Sequence, residues 1–153
     1  MHQLHPSTPL IPPQSEQPVQ VDNNMVPVVR ALWARGWQTI ACCQDQGESV
    51  AAERENGRPG EPTGQRGFIE YHRGWAWLKM PMADTLDLLA ALSNDEIFAT
   101  RVKVRWQRGS WRMHIPVIHQ GDVMKPAPYV QIYFPKAQIP ELATVLRTCS
   151  STS

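Results

Sequence analysis

The chain has 153 residues, of which 42% are hydrophobic and 19% charged, so it can bury the core of one domain. With 15 Lys and Arg against 14 Asp and Glu, the formal net charge of +1 excludes a global electrostatic attraction to nucleic acid or acidic membranes. Three cysteines without a Cys-x-x-Cys spacing cannot build a closed disulfide framework, and the N-terminus lacks the apolar run of a signal peptide. We therefore predict a cytoplasmic protein without a membrane span or a cofactor.

The first 21 residues are predicted to form a disordered tail. Five prolines stand among Ser, Thr and Gln within residues 1–20, and this composition buries too little apolar surface to offset the entropy of ordering. The ordered part should be a single domain over residues 22–149. It should begin with a helix over residues 24–35, because apolar side chains recur at helical spacing and Gly36 suits the cap that follows.

A strand, a loop and two hairpins are predicted next. The stretch WQTIACC is short, apolar and β-branched, which favours a strand. Residues 44–67 contain five glycines and two prolines, so we predict a long polar loop. The stretch FIEYHRGWAWLKM has two short runs that flank residues 72–74, and RVKVRW and WRMHIPVI flank residues 107–110, so each pair predicts a β-hairpin.

Two later stretches resemble each other. AWLKMPMADTLDLLAAL and VQIYFPKAQIPELATVL align without gaps, and each consists of a strand, a proline that ends the strand, and an amphipathic helix. This similarity suggests a β-β-α repeat. The predicted fold class is therefore α+β, a two-layer sandwich in which three helices cover one face of a mostly antiparallel sheet of about five to six strands.

Basic side chains alternate with apolar ones along the second predicted hairpin. Because neighbouring residues of a strand point to opposite faces, the cations would gather on one face and could bind an anionic ligand, a nucleic acid or a protein partner. The alternative is an ordinary solvated face whose long basic stems cover apolar neighbours. The predicted ligand-binding residues of this face are Arg101, Lys103, Arg105, Arg112 and His114.

Two tryptophans form a second candidate for ligand binding. Trp75 and Trp77 lie two residues apart and therefore share one face of a predicted strand. If that face is open, the two rings make a stacking platform for a base or another planar ligand. If a helix covers it, the pair belongs to the core.

Adjacent cysteines end the first predicted strand, so one of Cys42 and Cys43 should enter the core while the other faces the opposite side. A catalytic thiol needs a base that lowers its pKa, and His72 is the nearest candidate, with Asp45 to orient it. The alternative is that both cysteines are small buried hydrophobes. No set of four closely spaced ligands occurs, so no metal site is predicted.

The run ALWARGWQTIACCQDQ, followed after a loop by GFIEYH, resembles a pattern of small uncharacterised proteins of phages and mobile elements. In that pattern a helix ends in glycine and a strand of the form G-x-x-T-x-x-(S/C)-C follows. The resemblance covers residues 25–72 and implies a small α/β arrangement in a mobile-element context. We predict a non-enzymatic binding or accessory protein, with a cysteine-dependent enzyme that uses Cys42 or Cys43 with His72 as the alternative.

Overall fold

The computed structural model describes residues 5–57, 64–103 and 106–148. The strands are β1 (Ser7–Leu10), β2 (Val19–Asp22), β3 (Ala41–Cys43), β4 (Trp75–Pro81), β5 (Arg112–His114), β6 (Val117–Gln120), β7 (Val123–Pro126) and β8 (Tyr129–Pro135). The helices are α1 (Val26–Ala34), α2 (Gln46–Gly57), α3 (Gly64–His72), α4 (Met82–Leu92), α5 (Glu96–Lys103) and α6 (Ile139–Thr148). Within these ranges, no helix has both the length and the apolar character that crossing a bilayer requires.

A four-stranded antiparallel sheet in the order β3-β4-β8-β5 organises the fold. Its side chains alternate between two faces, as the pleat of a regular strand requires. Ala76, Leu78 and Met80 of β4 are fully buried on one face, which is the core face. Trp75 and Trp77 lie on the opposite face, which we call the outer face, and both are only partly buried.

Helices α1, α4 and α6 supply most of the helical side chains of the hydrophobic core. Leu32 of α1, Leu88 of α4 and Leu142 of α6 are inaccessible to solvent and belong to one cluster with Ile132 and Phe134 of β8. Burying each such side chain stabilises a protein by about 1.5–3 kcal/mol, so this cluster is the main source of folding free energy.

The α+β class is confirmed, whereas the predicted two-layer architecture is not matched in detail. Strand pairing is antiparallel in every described sheet, but the strands form one sheet of four and two separate pairs, β1–β2 and β6–β7, instead of one sheet of five to six. The predicted strand–proline–helix units are present as β4–α4 and β8–α6. The core also includes side chains from α5 and from the β1–β2 pair, so three helices do not account for it.

The prediction of a disordered tail over residues 1–21 is wrong for the part that the structure describes. β1 pairs with β2 in register from Ser7 opposite Asp22 to Leu10 opposite Val19. Leu10 and Val21 are 7% and 3% exposed and belong to the hydrophobic core. The prediction rested on the average composition of the segment, which is rich in proline. It gave no weight to these two apolar side chains, which pack the hairpin against the core.

The predicted long loop over residues 44–67 is also wrong, since α2 and α3 occupy most of it, with residues 58–63 outside the described ranges. Asp45 caps α2, because its Oδ1 accepts the backbone N–H of Glu48 at 3.0 Å. The run FIEYH, predicted as a strand, is the last part of α3. Ile69 and His72, three residues apart, are both buried on one side of that helix.

Gly47 allows α2 to approach the end of α3 closely. A Cβ atom at this position would lie 2.5 Å from the Cα of Arg73 and 2.6 Å from the carbonyl oxygen of Ile69, distances that no real side chain shows. The junction from α3 to β4 is made by Gly74, which has a φ of 79°, the left-handed region that favours glycine. The hairpin predicted around residues 72–74 is therefore a tight helix-to-strand turn.

The second predicted hairpin is wrong as well, because Arg101 and Lys103 lie on α5 and not on a strand. Asp95 starts this helix by accepting the backbone N–H groups of Ile97 and Phe98 at 3.0 and 2.9 Å. Phe98 and Val102, four residues apart, face the core together. The alternation of residues 101–106 therefore does not gather cations on a strand face, and Arg105 lies outside the described residues.

Candidate ligand-binding site

The outer face of the sheet carries a row of polar and aromatic side chains that crosses all four strands. Cys43 lies opposite Trp77, Trp77 opposite Tyr133, and Tyr133 opposite Arg112. The two cysteines therefore separate as strand alternation requires, with Cys42 packed against the core and Cys43 on the outer face.

A cavity of about 890 Å³ opens on this face between α3, β5 and residues 106–111. This volume lies within the range of about 300–1,000 Å³ that is typical of small-molecule sites. We call it the Arg112 cleft. Besides residues 106–111, its lining includes Phe68, Tyr71, His72, Trp75, Arg112, Met113, His114, Gln131 and Tyr133.

Arg112 contacts two aromatic rings at this cleft. The central carbon of its guanidinium lies 3.6 Å from the ring centroid of Tyr71 and 3.6 Å from that of Trp75. Its Nη1 also donates a hydrogen bond to the carbonyl oxygen of Tyr71. Partial burial lowers the pKa of Arg112 from its ordinary value, but arginine keeps its charge at neutral pH. The cleft therefore contains a cation held by two aromatic rings and a hydrogen bond, and its other N–H groups can bind an anion.

His72 forms the aromatic floor of the cleft. Its ring stacks on Tyr133 at 4.0 Å between centroids and contacts Phe68 at 4.4 Å and Tyr71 at 4.9 Å. Burial, assisted by the positive charge of Arg112, lowers the pKa of His72 to about 4. The imidazole is therefore neutral at pH 7 and adds hydrogen-bonding capacity to the cleft without adding charge.

Two buried polar atoms of the cleft residues lack a hydrogen-bond partner among the residues that the structure describes. They are Nδ1 of His72 and Oγ of Ser110, and the two residues are 7% and 6% exposed. Such atoms are uncommon in folded proteins, and each costs about 1–3 kcal/mol when it remains unpaired. Both atoms are enclosed by protein, so they do not form part of the accessible surface of the cleft.

Gln138 fixes the wall formed by residues 106–111. It accepts a hydrogen bond from the indole N–H of Trp111 at 2.9 Å and donates one to the carbonyl oxygen of Gly109 at 3.0 Å. Trp111 is itself only 4% exposed and stacks on Phe134 at 4.9 Å. The cleft wall is thus anchored in the hydrophobic core and has a defined shape before any ligand arrives.

The structure brings some of the predicted ligand-binding residues together and separates others. Arg112, His114 and Trp75 all line the cleft. Arg101 instead pairs with Glu141 at 3.0 Å and lies 4.8 Å from the ring centroid of Phe98. Lys103 is exposed at the end of α5.

Trp77, the second member of the predicted stacking pair, lies on the same strand face as Trp75 but does not line the cleft. Its indole nitrogen is buried and lacks a partner among the described residues. Several cleft residues were missed entirely by the sequence analysis, chiefly because α3 was predicted as a strand. The spacing of Phe68 and His72, four residues apart, is the signal that a helical interpretation would have used. The missed lining residues include Phe68, Tyr71, Ser110 and Tyr133.

No hydrogen bond among the described residues joins Cys42 or Cys43 to His72, or His72 to Asp45, as the cysteine-enzyme hypothesis requires. The Sγ of Cys43 lies 2.9 Å from the Oγ of Ser49, and burial raises the pKa of Cys43 to about 11 and that of Cys42 to about 12. His72 contacts aromatic rings, as described above. The Asp45 carboxylate binds the backbone N–H groups of Glu48 and Gly74 and the ammonium of Lys136. These environments favour the protonated thiol, which is a poor nucleophile.

The two strand cysteines are therefore expected to resist alkylation. The experiment uses the Cys149→Ser variant in metal-free buffer at about neutral pH. Iodoacetamide should modify Cys42 and Cys43 roughly 100-fold more slowly in the folded protein than in the urea-unfolded protein. The reason is that the raised pKa values lower the thiolate fraction by at least that factor. Mass spectrometry of the labelled peptide measures both rates. A folded-state rate equal to the unfolded rate for either thiol would favour the cysteine-enzyme hypothesis.

Comparison of the chain with protein-family models, with curated proteins and with solved structures gave no match. The mobile-element context and the cytoplasmic location inferred from the sequence stay predictions.

Proposed function

We propose that this protein is a non-enzymatic binding protein that takes a small planar anion into the Arg112 cleft. The ligand class is an aromatic ring that carries a carboxylate or a phosphate. The observation that carries this proposal is the guanidinium of Arg112, a cation that lies against two aromatic rings at the cleft.

The geometry of Arg112 favours an anion that approaches in the plane of the guanidinium. The ring centroids of Tyr71 and Trp75 each lie 3.6 Å from its central carbon, so two aromatic rings already contact it. A guanidinium has five N–H donors in a planar fork that matches the two oxygens of a carboxylate or phosphate. Because the side chain is already held by its neighbours, little rotamer entropy is lost when the anion binds.

The rest of the cleft favours a planar, largely apolar body for the ligand. Aromatic side chains dominate the lining, and His72 is neutral at pH 7 because of its lowered pKa. Arg112 and the exposed Arg108 are the two arginines among the lining residues, so a ligand with one or two negative charges suits the cleft better than a polyanion. His114 is exposed at the rim, where it is available for a second polar contact.

The test is a fluorescence titration, since Trp75, Trp106 and Trp111 all line the cleft and report on its occupation. The probes are phenyl phosphate, benzoate and adenosine monophosphate, with phenol and adenosine as uncharged counterparts. At least one charged probe should change the emission saturably, and its uncharged counterpart should bind more weakly. The variant Arg112→Met, which keeps an apolar stem, should weaken the charged probe roughly 10- to 100-fold, the value of a charge-assisted hydrogen bond.

Arg101→Met is the matched control, because it removes the same charge from a residue that pairs with Glu141 outside the cleft. It should leave the affinity of the probe unchanged. Equal loss of affinity in both variants would mean that net charge and not the cleft attracts the probe. Saturable binding by none of the charged probes would contradict the proposed ligand class.

A further inference from the structure

Three segments that are distant in the sequence bring potential metal ligands together beside β3. They are His5, which precedes β1, Asp22 at the end of β2, and Cys43 at the end of β3. One ligand atom from each residue lies within 4.8 Å of the other two. Glu48, in the first turn of α2, lies next to them. We call these four residues the His5 cluster.

His5 is oriented as a metal-binding histidine usually is. Its Nδ1 lies 3.4 Å from Oδ2 of Asp22, and its Nε2 lies 3.1 Å from Oε2 of Glu48. In metal sites the ring nitrogen that is not bound to the ion almost always donates its hydrogen to a carboxylate or a carbonyl. Glu48 occupies that position for Nε2, which leaves Nδ1 with its lone pair on the side of Asp22 and Cys43.

Asp22 and Cys43 are also positioned by hydrogen bonds from neighbouring groups. Oδ2 of Asp22 accepts the backbone N–H of Gln44 at 2.9 Å, and Sγ of Cys43 lies 2.9 Å from the hydroxyl of Ser49. His5 and Cys43 are only 8% and 7% exposed, whereas Asp22 is 19% exposed and leaves a route to solvent. The cluster is thus partly closed, with supported ligands and one accessible side.

The ligand atoms lie within 4.8 Å of one another, so binding zinc requires the widest separation to shorten by up to about 1–1.5 Å. Bonds of about 2.0–2.3 Å in a tetrahedral site place neighbouring ligand atoms about 3.3–3.8 Å apart. The separation of Nδ1 of His5 from Oδ2 of Asp22 is already 3.4 Å. A mixed set of imidazole, carboxylate and thiolate suits zinc, whereas magnesium and calcium prefer oxygen ligands alone.

We propose that His5, Asp22 and Cys43 bind one zinc ion, through Nδ1, a carboxylate oxygen and the thiolate, with Glu48 as the hydrogen-bond acceptor that positions His5. The fourth position is filled by water. When the zinc–sulfur bond forms, the thiol proton of Cys43 is released to solvent, so one proton leaves for each ion bound. The ion connects the N-terminal hairpin to β3 and thereby stabilises the folded state.

The first experiment uses the full chain after treatment with a chelator and its removal. Titration with zinc chloride in a calorimeter should show one equivalent bound, and the midpoint of thermal unfolding should rise. His5→Ala should abolish both effects, and Glu48→Gln should weaken binding roughly 10- to 100-fold, as loss of a supporting carboxylate does. The matched control His114→Ala removes an exposed histidine elsewhere and should retain full binding.

Cobalt provides a readout that does not depend on stability. Cobalt bound to a thiolate gives a ligand-to-metal charge-transfer absorption in the near ultraviolet, which should be present in the Cys42→Ala variant and absent from Cys43→Ala. Circular dichroism establishes that each variant is folded. Zinc binding that survives His5→Ala, the absence of stoichiometric binding in the folded wild-type chain, or an unchanged cobalt band in folded Cys43→Ala would overturn the proposal.

Discussion

Trp111→Ala is expected to lower the free energy of unfolding by about 3–5 kcal/mol, the usual cost of removing a buried tryptophan. Trp111 is 4% exposed, stacks on Phe134 and meets Phe98 edge-on at 5.9 Å. Alanine would leave a cavity between these rings and would also leave Gln138 without its indole donor. Urea denaturation followed by circular dichroism measures the loss without relying on tryptophan emission.

Two further variants separate the causes of that loss. Trp111→Phe keeps a ring in the stack but loses the indole N–H, so it should cost about 1–3 kcal/mol, the penalty for an unpaired buried partner. Trp106→Ala removes a tryptophan that is 90% exposed and should change stability by no more than about 0.5 kcal/mol. Equal losses for Trp106→Ala and Trp111→Ala would contradict the assignment of Trp111 to the core.

Asp45→Ala is expected to destabilise the protein by roughly 2–4 kcal/mol, the sum of a lost helix cap and a buried hydrogen bond left unpaired. Asp45 is 1% exposed, and its two oxygens hold the start of α2 and the turn at Gly74. It also pairs with Lys136 at 2.9 Å. Thermal and urea unfolding measure the effect, with Asp87→Ala on the exposed side of α4 as the matched control.

Lys136→Met shows how much of that effect belongs to the ion pair. Lys136 is 49% exposed, and pairs with one exposed partner usually contribute about 0–1 kcal/mol. Its removal should therefore cost much less than Asp45→Ala. If the two variants were equally destabilised, the ion pair and not the two backbone hydrogen bonds would hold this junction.

The elements that the sequence predicts well are those whose local signals agree with their packing. The helix over residues 24–35 is observed as α1, and Gly36 follows it with a φ of 80°, where a left-handed residue is needed. The two strand–proline–helix units are likewise read from apolar spacing and proline placement. In these segments the residues that favour the local backbone conformation also place the apolar side chains in the core.

The wrong predictions arose where two periodicities compete. Residues 101–106 alternate like a strand, but Phe98 and Val102 provide the helical spacing that packs on the core, and Asp95 provides the cap. In α3, aromatic and β-branched residues suggested a strand, although Ile69 and His72 share a helical side. Local composition cannot decide between helix and strand in these segments. The outcome depends on which side chains the rest of the fold can bury.

The candidate site could be predicted only in part for the same reason. Arg112, His114 and Trp75 were selected by residue type, and all three line the cleft. Their neighbours Tyr71 and His72 come from a helix that the sequence analysis did not identify. No metal site was predicted, because the sequence has no four closely spaced ligands and His5, Asp22 and Cys43 are distant from one another in the chain.

The shortness of β3 and β5 has a consequence for how the protein behaves at high concentration. Each outer strand of the central sheet contains three residues, Ala41–Cys43 on one side and Arg112–His114 on the other. Pro116 follows closely after β5, and the side chain of Asp22 already accepts the N–H of Gln44 beside β3. The edges of the central sheet therefore offer few backbone groups to a strand of another molecule, which limits intermolecular β-pairing at this sheet.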